Sequence, residues 1–97
     1  MSFRLNISPA VKQELAEAYG WYAERNEKAA EAFRDEVLGA FELVARHPDR
    51  FPLWDDLVRR FVLKHYPYSV YYSVGDRVVN ILAVGHNRRS VGYWLKR

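Results

Sequence analysis

The spacing of apolar residues differs between the two halves of this chain, and the difference limits what the chain can fold into. Between residues 9 and 46 the apolar side chains recur every three or four positions, as on helices that bury one face. From residue 58 to residue 85 they alternate with polar side chains or form short runs, as in β-strands. Helices followed by strands within 97 residues predict a helical layer packed on one face of a sheet, an α+β fold.

The first half of the chain predicts two helices in an antiparallel hairpin. Ser8 and Pro9 have the residue types of an N-cap and of the first position in a helix. Asn26 is a suitable N-cap for a second helix, which has the wider apolar face and ends at His47 and Pro48. Because only a few residues separate the two helices, we expect them to pack side by side in opposite directions.

Four segments have the pattern of strands. A short one covers residues 3–7, and three follow the helices at 58–64, 68–74 and 77–85. Gly75-Asp76 joins the last two as a tight turn, and the last segment is apolar enough to lie centrally. We expect one domain over residues 1–97: a short N-terminal strand beside the last strand, the helical hairpin, and a three-stranded antiparallel meander. If the 58–64 strand lies at an edge, it can pair with a partner's strand.

Charge is segregated along the chain. The first 57 residues contain seven Lys or Arg and eleven acids, whereas the last 40 contain eight Lys or Arg and one acid. A basic C-terminal half favours a polyanionic partner. The chain has no cysteine, and its three histidines have no paired spacing, so we expect no metal site and no cofactor. With no signal-like or membrane-spanning run, the pattern indicates a cytoplasmic protein without a membrane partner.

The strongest candidate site follows the last predicted strand. It comprises His86, Arg88, Arg89, Tyr93 and Trp94. A histidine can transfer protons near neutral pH, two arginines can hold a phosphate, and the two aromatic rings can stack on bases. The structural alternative is that Trp94 closes the core, His86 bonds a backbone carbonyl and the arginines are solvated.

A second basic cluster lies in the 58–64 segment and just after it. Arg59, Arg60, Lys64 and His65 belong to it, followed by Tyr66. Two-residue alternation places Arg60 and Lys64 on one strand face, where they can line a groove with the C-terminal arginines. The alternative is an ordinary solvated strand face. The first interpretation predicts that Arg60, Lys64, Arg88 and Arg89 lie on one wall of the molecule.

Several segments in this order resemble the RelE/ParE superfamily, the toxins of type II toxin–antitoxin modules. The resemblance covers nearly the whole chain. Its residues are Arg59-Arg60-Phe61, Tyr68-Ser69-Val70-Tyr71-Tyr72, Val79-Asn80-Ile81-Leu82-Ala83-Val84, His86-Asn87-Arg88-Arg89 and Tyr93-Trp94. It implies the α+β fold predicted above and a cognate antitoxin, a protein whose acidic or amphipathic segment orders on the toxin.

The resemblance implies one of two activities. RelE-like members are metal-independent endonucleases that cut mRNA on the ribosome, and here His86, Arg88 or Arg89, and Tyr93 would be catalytic. Ser69 and Asn87, however, occupy positions where such enzymes have arginines. ParE-like members inhibit DNA gyrase by binding, and the His-x-Arg-Arg ending and Arg59-Arg60-Phe61 resemble these members more closely.

We therefore expect a ParE-like toxin that inhibits gyrase and is neutralised by an antitoxin. The residues expected to bind the target or its phosphates are Arg59, Arg60, Lys64, His65, Arg88, Arg89 and Trp94. The RelE-like endonuclease is the alternative. A basic nucleic-acid-binding domain without toxicity is a third interpretation, from another functional class.

Overall fold

The computed structural model describes residues 2–89 and 92–96, with side chains as far as Leu95. The elements, in chain order, are β1 (Arg4–Ile7), α1 (Pro9–Ala23), α2 (Glu27–Arg46), β2 (Arg59–Val62), β3 (Tyr68–Val74), β4 (Val78–His86) and a 3-10 helix (Tyr93–Lys96). This order confirms the predicted α+β architecture. No helix among the described residues combines the length and apolar character needed to cross a bilayer.

The predicted signals delimit both helices. The Ser8 hydroxyl accepts a hydrogen bond from the Val11 amide (3.3 Å), and Pro9 is the first residue of α1. The Asn26 side chain likewise accepts from the Ala29 amide (3.2 Å) at the start of α2. These bonds satisfy amides that have no partner inside the helix. Since only residues 24–26 separate α1 from α2, the two helices form the expected hairpin.

The sheet has the order β1-β4-β3-β2, with β4 in the interior. β1 pairs with β4 in parallel, while the other neighbours are antiparallel, so the meander is joined by one parallel strand. β1 is short and ends where Ile7 faces Ile81. Among the described strands, the last part of β4, residues 82–86, therefore has a neighbour only in β3. This end of β4 bears the candidate site.

A bulge in β4 keeps its side chains on the correct faces. Tyr72 pairs with Ile81 and Tyr71 pairs with Ala83, so Leu82 is the extra residue. Without this extra residue, the side chains that follow it would point to the opposite faces of the sheet. With it, Ile81 and Val84 both enter the main core beneath the helices.

Two apolar clusters cover the two faces of the sheet. The main core lies between the helices and one face, and its buried members include Val11, Phe33, Val44, Val70 and Tyr72. The smaller cluster lies on the opposite, outer face of the sheet. It contains Tyr71, Ala83 and Trp94, with Trp54, Val58, Leu82 and Tyr93 packed against them. Residues from the 48–58 loop and from the 3-10 helix thus cover this face.

The 48–58 loop also closes the outer edge of β2. Leu53 forms an isolated antiparallel bridge with Arg59, and the Arg60 amide donates to the Pro52 carbonyl (3.0 Å). The Arg59 guanidinium donates to the Phe51 carbonyl (2.6 Å) and holds the loop in place. β2 is an edge strand by its place in the sheet order, but this segment of the same chain occupies part of its outer side.

Several strand boundaries differ from the predictions by one or two residues, and two of these differences have a clear structural cause. β2 ends at Val62 rather than at Lys64, because a carboxylate of α2 captures the next backbone amides: Glu36 accepts from Lys64 N (2.6 Å) and His65 N (3.0 Å). The β3–β4 connection has three residues rather than two, and Arg77 adopts the left-handed conformation (φ 57°). Three-residue hairpin loops use such a residue to restore the strand direction.

Glu36 connects the helical layer to the sheet. Its side chain also lies 2.8 Å from the His65 Nδ1 atom. Burial alone would raise the pKa of Glu36, but the hydrogen bonds from His65 and Lys64 outweigh it and lower the pKa below the ordinary value of 4.5. The ionised form therefore stabilises the folded protein.

Replacing Glu36 with Gln is expected to lower the free energy of unfolding at neutral pH by about 1–3 kcal/mol, since two amides lose a charged acceptor. Urea denaturation measures this change. A carboxylate whose pKa is lowered by folding contributes stability above its unfolded pKa, and the contribution is lost as the pH falls through the folded value. Stability of the wild type should thus fall more than that of the variant as the pH drops below 4.5.

Glu42→Gln, an exposed site on the same helix, is the control. Equal pH profiles for Glu36→Gln and the wild type would contradict this role.

Candidate functional site

The turn that follows β4 (residues 86–89), here called the C-terminal turn, is anchored by its own backbone. The Asn87 amide donates to the Pro67 carbonyl (2.8 Å), and the Arg89 amide donates to the His86 carbonyl (3.0 Å). The Arg88 amide donates to His86 Nδ1 (3.1 Å), which assigns the proton of a neutral ring to Nε2. The His86 ring also packs edge-on against Tyr68, with 5.2 Å between ring centroids. The turn therefore presents its side chains from a fixed frame.

A carboxylate from α1 meets the end of β4. Glu14 accepts a hydrogen bond from the Val84 amide (3.1 Å) and another from the Tyr93 hydroxyl. Its Oε2 atom lies 3.9 Å from an Arg89 nitrogen, and its side chain is only 13% exposed. The sequence analysis missed Glu14. The available signal was its position on the apolar stripe of α1, three residues after Val11 and four before Ala18, where a carboxylate needs partners.

The two C-terminal aromatic rings are held inside the structure. Tyr93 lies over Gly85, and the Arg89 guanidinium sits 3.6 Å from the centre of the Tyr93 ring. Trp94 is 8% exposed, and its ring packs against Tyr71 (4.5 Å between centroids) and Trp54 (5.4 Å). Trp94 thus closes an apolar cluster, as the structural alternative for this residue predicted. Stacking of Trp94 on a base would require the 3-10 helix to leave the sheet.

A hydrogen-bonded chain joins Arg60 to the C-terminal turn on the outer face. Arg60 Nε donates to the Ser69 hydroxyl (3.2 Å), which donates to the Asn87 side-chain oxygen (2.6 Å). The Arg60 guanidinium also faces the Tyr71 ring at 5.7 Å. Ser69 and Asn87 are the two positions at which this sequence departs from the RelE-like pattern. Here they bond to each other, and Ser69 is fully buried.

The other predicted basic residues lie apart from the hydrogen-bonded series of Arg60, Ser69 and Asn87. Arg59 donates to the Phe51 and Asp49 carbonyls (2.6 and 3.3 Å) and supports the 48–58 loop. The backbone of Lys64 and both the backbone and ring of His65 bond to Glu36 of α2. Since Arg60 is on the outer face, Arg89 is beside α1 and Lys64 is in a loop tied to α2, the structure does not gather the four expected cations onto one wall. Arg88 is exposed in the C-terminal turn.

A cleft of about 530 Å³ separates α1 from the ends of β3 and β4. Its charged and ionisable lining includes Glu14, Glu17, His86 and Arg89. Burial raises the pKa of Tyr68, which also lines the cleft, so its phenol stays protonated at neutral pH and supplies no phenolate base. Two carboxylates beside one arginine and one histidine disfavour a phosphate here, because an added anion meets like charge at short range.

Comparisons with known proteins agree with this fold. The model of the family described as the ParE toxin of the type II toxin-antitoxin system, parDE, matches residues 5–91. A solved structure titled "Chromosomal ParDE TA system from P. aeruginosa" is similar, with a TM-score of 0.76 and 16% identity over 88% of this chain and 96% of that chain. At this identity the structural likeness shows the fold alone. No protein with a curated function matches the sequence.

Gly85→Ala is expected to displace Tyr93. An added Cβ would lie 2.6 Å from two atoms of the Tyr93 side chain, so the ring must move away from Glu14. We expect a loss of about 1–3 kcal/mol in the free energy of unfolding, together with a changed chemical shift of the Tyr93 ring. The matched control is Gly39→Ala in α2, where nothing lies within 4 Å and helix propensity predicts a gain of about 0.5–1 kcal/mol. An unshifted Tyr93 resonance in Gly85→Ala would show that this packing is wrong.

Proposed function

Because the chain belongs to the ParE toxin family of type II toxin–antitoxin systems, we propose that it stops bacterial growth by binding DNA gyrase and that a cognate antitoxin neutralises it. The family match spans most of the chain, including both helices and all four strands. Inhibition by binding requires an accessible surface rather than an assembled set of proton-transfer groups. The geometry of the C-terminal residues favours this mode over RNA cleavage.

The observation that carries this proposal is the engagement of Tyr93 and Arg89 by Glu14. Cleavage of RNA needs groups that remove a proton from the 2′-hydroxyl, protonate the leaving oxygen and stabilise the charged phosphate. The Tyr93 hydroxyl already donates to a carboxylate, and the same carboxylate faces the Arg89 guanidinium at 3.9 Å. Two of the four residues expected to act as catalysts, Tyr93 and Arg89, thus help to hold the C-terminal segment.

The outer face gives a second argument against phosphate chemistry. Arg60 Nε is bonded to Ser69, whose hydroxyl is in turn bonded to Asn87. This hydrogen-bonded series contains one cation, Arg60. The neutral side chains of Ser69 and Asn87 occupy the two positions where arginines were expected. A site with so little positive charge would stabilise the transition state of phosphoryl transfer poorly.

The surface we assign to the target surrounds the C-terminal turn, with Arg60 on the side of the outer face and Arg89 on the side of α1, so these cations do not share one wall. Arg88 is exposed in the turn itself, and Lys64, exposed in the loop after β2, is a separate contact point. Arg59, His65 and Trp94 support this surface through the contacts described above. Exposed cations steer association with an anionic partner and lose this effect as salt rises.

For the antitoxin, we propose a contact with the outer groove of the helical hairpin. A cleft of about 490 Å³ there is lined by apolar residues of both helices, including Leu15, Tyr19, Val37 and Leu38. Leu38 is 51% exposed. An amphipathic segment that folds on binding can bury such a groove, and acidic residues flanking that segment would suit the basic half of the chain.

Induction of the chain in bacteria without an antitoxin tests the proposed activity. We expect growth arrest, and the purified protein should inhibit gyrase supercoiling and trap gyrase–DNA cleavage complexes. Arg88→Ala should weaken gyrase inhibition by about tenfold, the equivalent of one lost charge-assisted contact. Arg4→Ala, at an exposed position on β1, is the matched control. Codon-positioned mRNA ends with unaffected gyrase would instead identify a ribosome-dependent endonuclease, and normal growth at good expression would remove both toxin activities.

A further inference from the structure

The short first strand leaves a gap in the sheet, and Glu14 fills it. β1 ends opposite Ile81, yet the Val84 amide three residues later still finds an acceptor, because Glu14 reaches it from α1 at 3.1 Å. A carboxylate can take the place of a missing strand at one amide. A neutral Gln would serve this single amide equally well, at a smaller desolvation cost. The negative charge at this buried position therefore needs a further explanation.

Two other contacts of Glu14 supply that explanation. Both lie beyond the end of β4: the Tyr93 hydroxyl donates to Oε2, and the Arg89 guanidinium lies 3.9 Å from the same oxygen. Arg89 and Tyr93 also contact each other, with the guanidinium 3.6 Å from the ring centre. The three side chains thus contact one another, and we call them the Glu14 triad. It ties the C-terminal turn and the 3-10 helix to the middle of α1.

We propose that Glu14 is a positioning residue for target binding: it fixes the direction of the Arg89 side chain and the place of the 3-10 helix beside the C-terminal turn. The target itself rests on the proposed gyrase function, but the positioning of the segment does not. Removing the charge of Glu14 releases two tethers at once. Arg89 loses its ionic partner and the Tyr93 hydroxyl faces a neutral amide in place of a carboxylate, so the Arg89 side chain and the 3-10 helix become freer to reorient.

Three variants test this role. Glu14→Gln removes the charge but keeps an acceptor for Val84, Tyr93→Phe removes only the hydroxyl, and the double variant combines both. Glu17→Gln, one turn further along α1, is the charge-matched control, since the Glu17 carboxylate bonds to Gln13 rather than to the C-terminal segment. Amide hydrogen exchange of the 3-10 helix, where Leu95 N donates to the Gly92 carbonyl (3.0 Å), reports the position of the segment without reference to any target. Inhibition of gyrase supercoiling, measured at equal folded fractions, reports target binding.

We expect Glu14→Gln and Tyr93→Phe each to speed exchange at Leu95 by about tenfold or more, the equivalent of one charge-assisted hydrogen bond. Each should also weaken gyrase inhibition by a similar factor. The double variant should be no weaker than the poorer single variant, because both changes break the same contact. A residue with a purely structural role would lower the unfolding midpoint and leave inhibition by the folded protein unchanged. Should Glu14→Gln fail to fold, Tyr93→Phe decides alone, since it leaves the Glu14–Val84 bond in place.

The two proposals fail in different ways. If the wild type does not inhibit gyrase but Glu14→Gln still frees the Leu95 amide, the gyrase function is wrong and the positioning of the segment stands. If the wild type inhibits gyrase while Glu14→Gln and Tyr93→Phe match it in both exchange and inhibition, the positioning role is wrong and the gyrase function stands. Fully additive effects in the double variant would also overturn the positioning role.

Discussion

Burial of β4 on both faces is the constraint on which the rest of the structure depends. Ile81 and Val84 pack beneath the helices, whereas Ala83 lies in the smaller cluster on the outer face. A strand enclosed in this way needs a layer on each side. The helical hairpin supplies one layer, and the 48–58 loop and the 3-10 helix together supply the other. The Leu82 bulge is required because the strand must direct apolar side chains into both layers along its whole length.

This constraint also places the candidate site. β4 continues past the end of β1, so its last residues extend beyond the parallel pairing and carry the C-terminal turn with them. A long, doubly buried strand is a rigid support, and it determines where the arginines emerge. Side chains from α1, β3 and the 3-10 helix then decide how those arginines are oriented. The site is thus assembled from parts distant in sequence: Glu14 and Tyr93 are separated by 78 intervening residues.

The sequence was sufficient for features that depend on local rules. Ser8 and Asn26 cap the helices as predicted, the meander is antiparallel, and β4 is central with β1 beside it. Features that depend on tertiary contacts could not be predicted in the same way. The early end of β2 results from a carboxylate on α2, and the role of Glu14 requires α1 to cross the end of β4. A carboxylate on an apolar helix stripe predicts that partners exist, but nothing local identifies them.

The candidate site illustrates the same distinction. Residue types correctly singled out the end of β4 as the place where charged and aromatic side chains concentrate. They did not reveal that Ser69 and Asn87, read as departures from a pattern, bond to each other, or that the Tyr93 ring is already engaged. Strand alternation placed Arg60 and Lys64 on one face, but the strand ends between them. Two-residue alternation predicts the face of a side chain only within the strand itself.

The closure of β2 by the 48–58 loop has a consequence for how copies of this chain meet. Unpaired amides and carbonyls along a sheet border are a template onto which a neighbouring molecule can add, and repeated addition leads to insoluble aggregates. Here the Arg60 amide is already bound to Pro52 of the same molecule, and Arg59 carries its positive charge beside it. The loop therefore leaves less of this sheet border open to strand pairing with another copy of the chain.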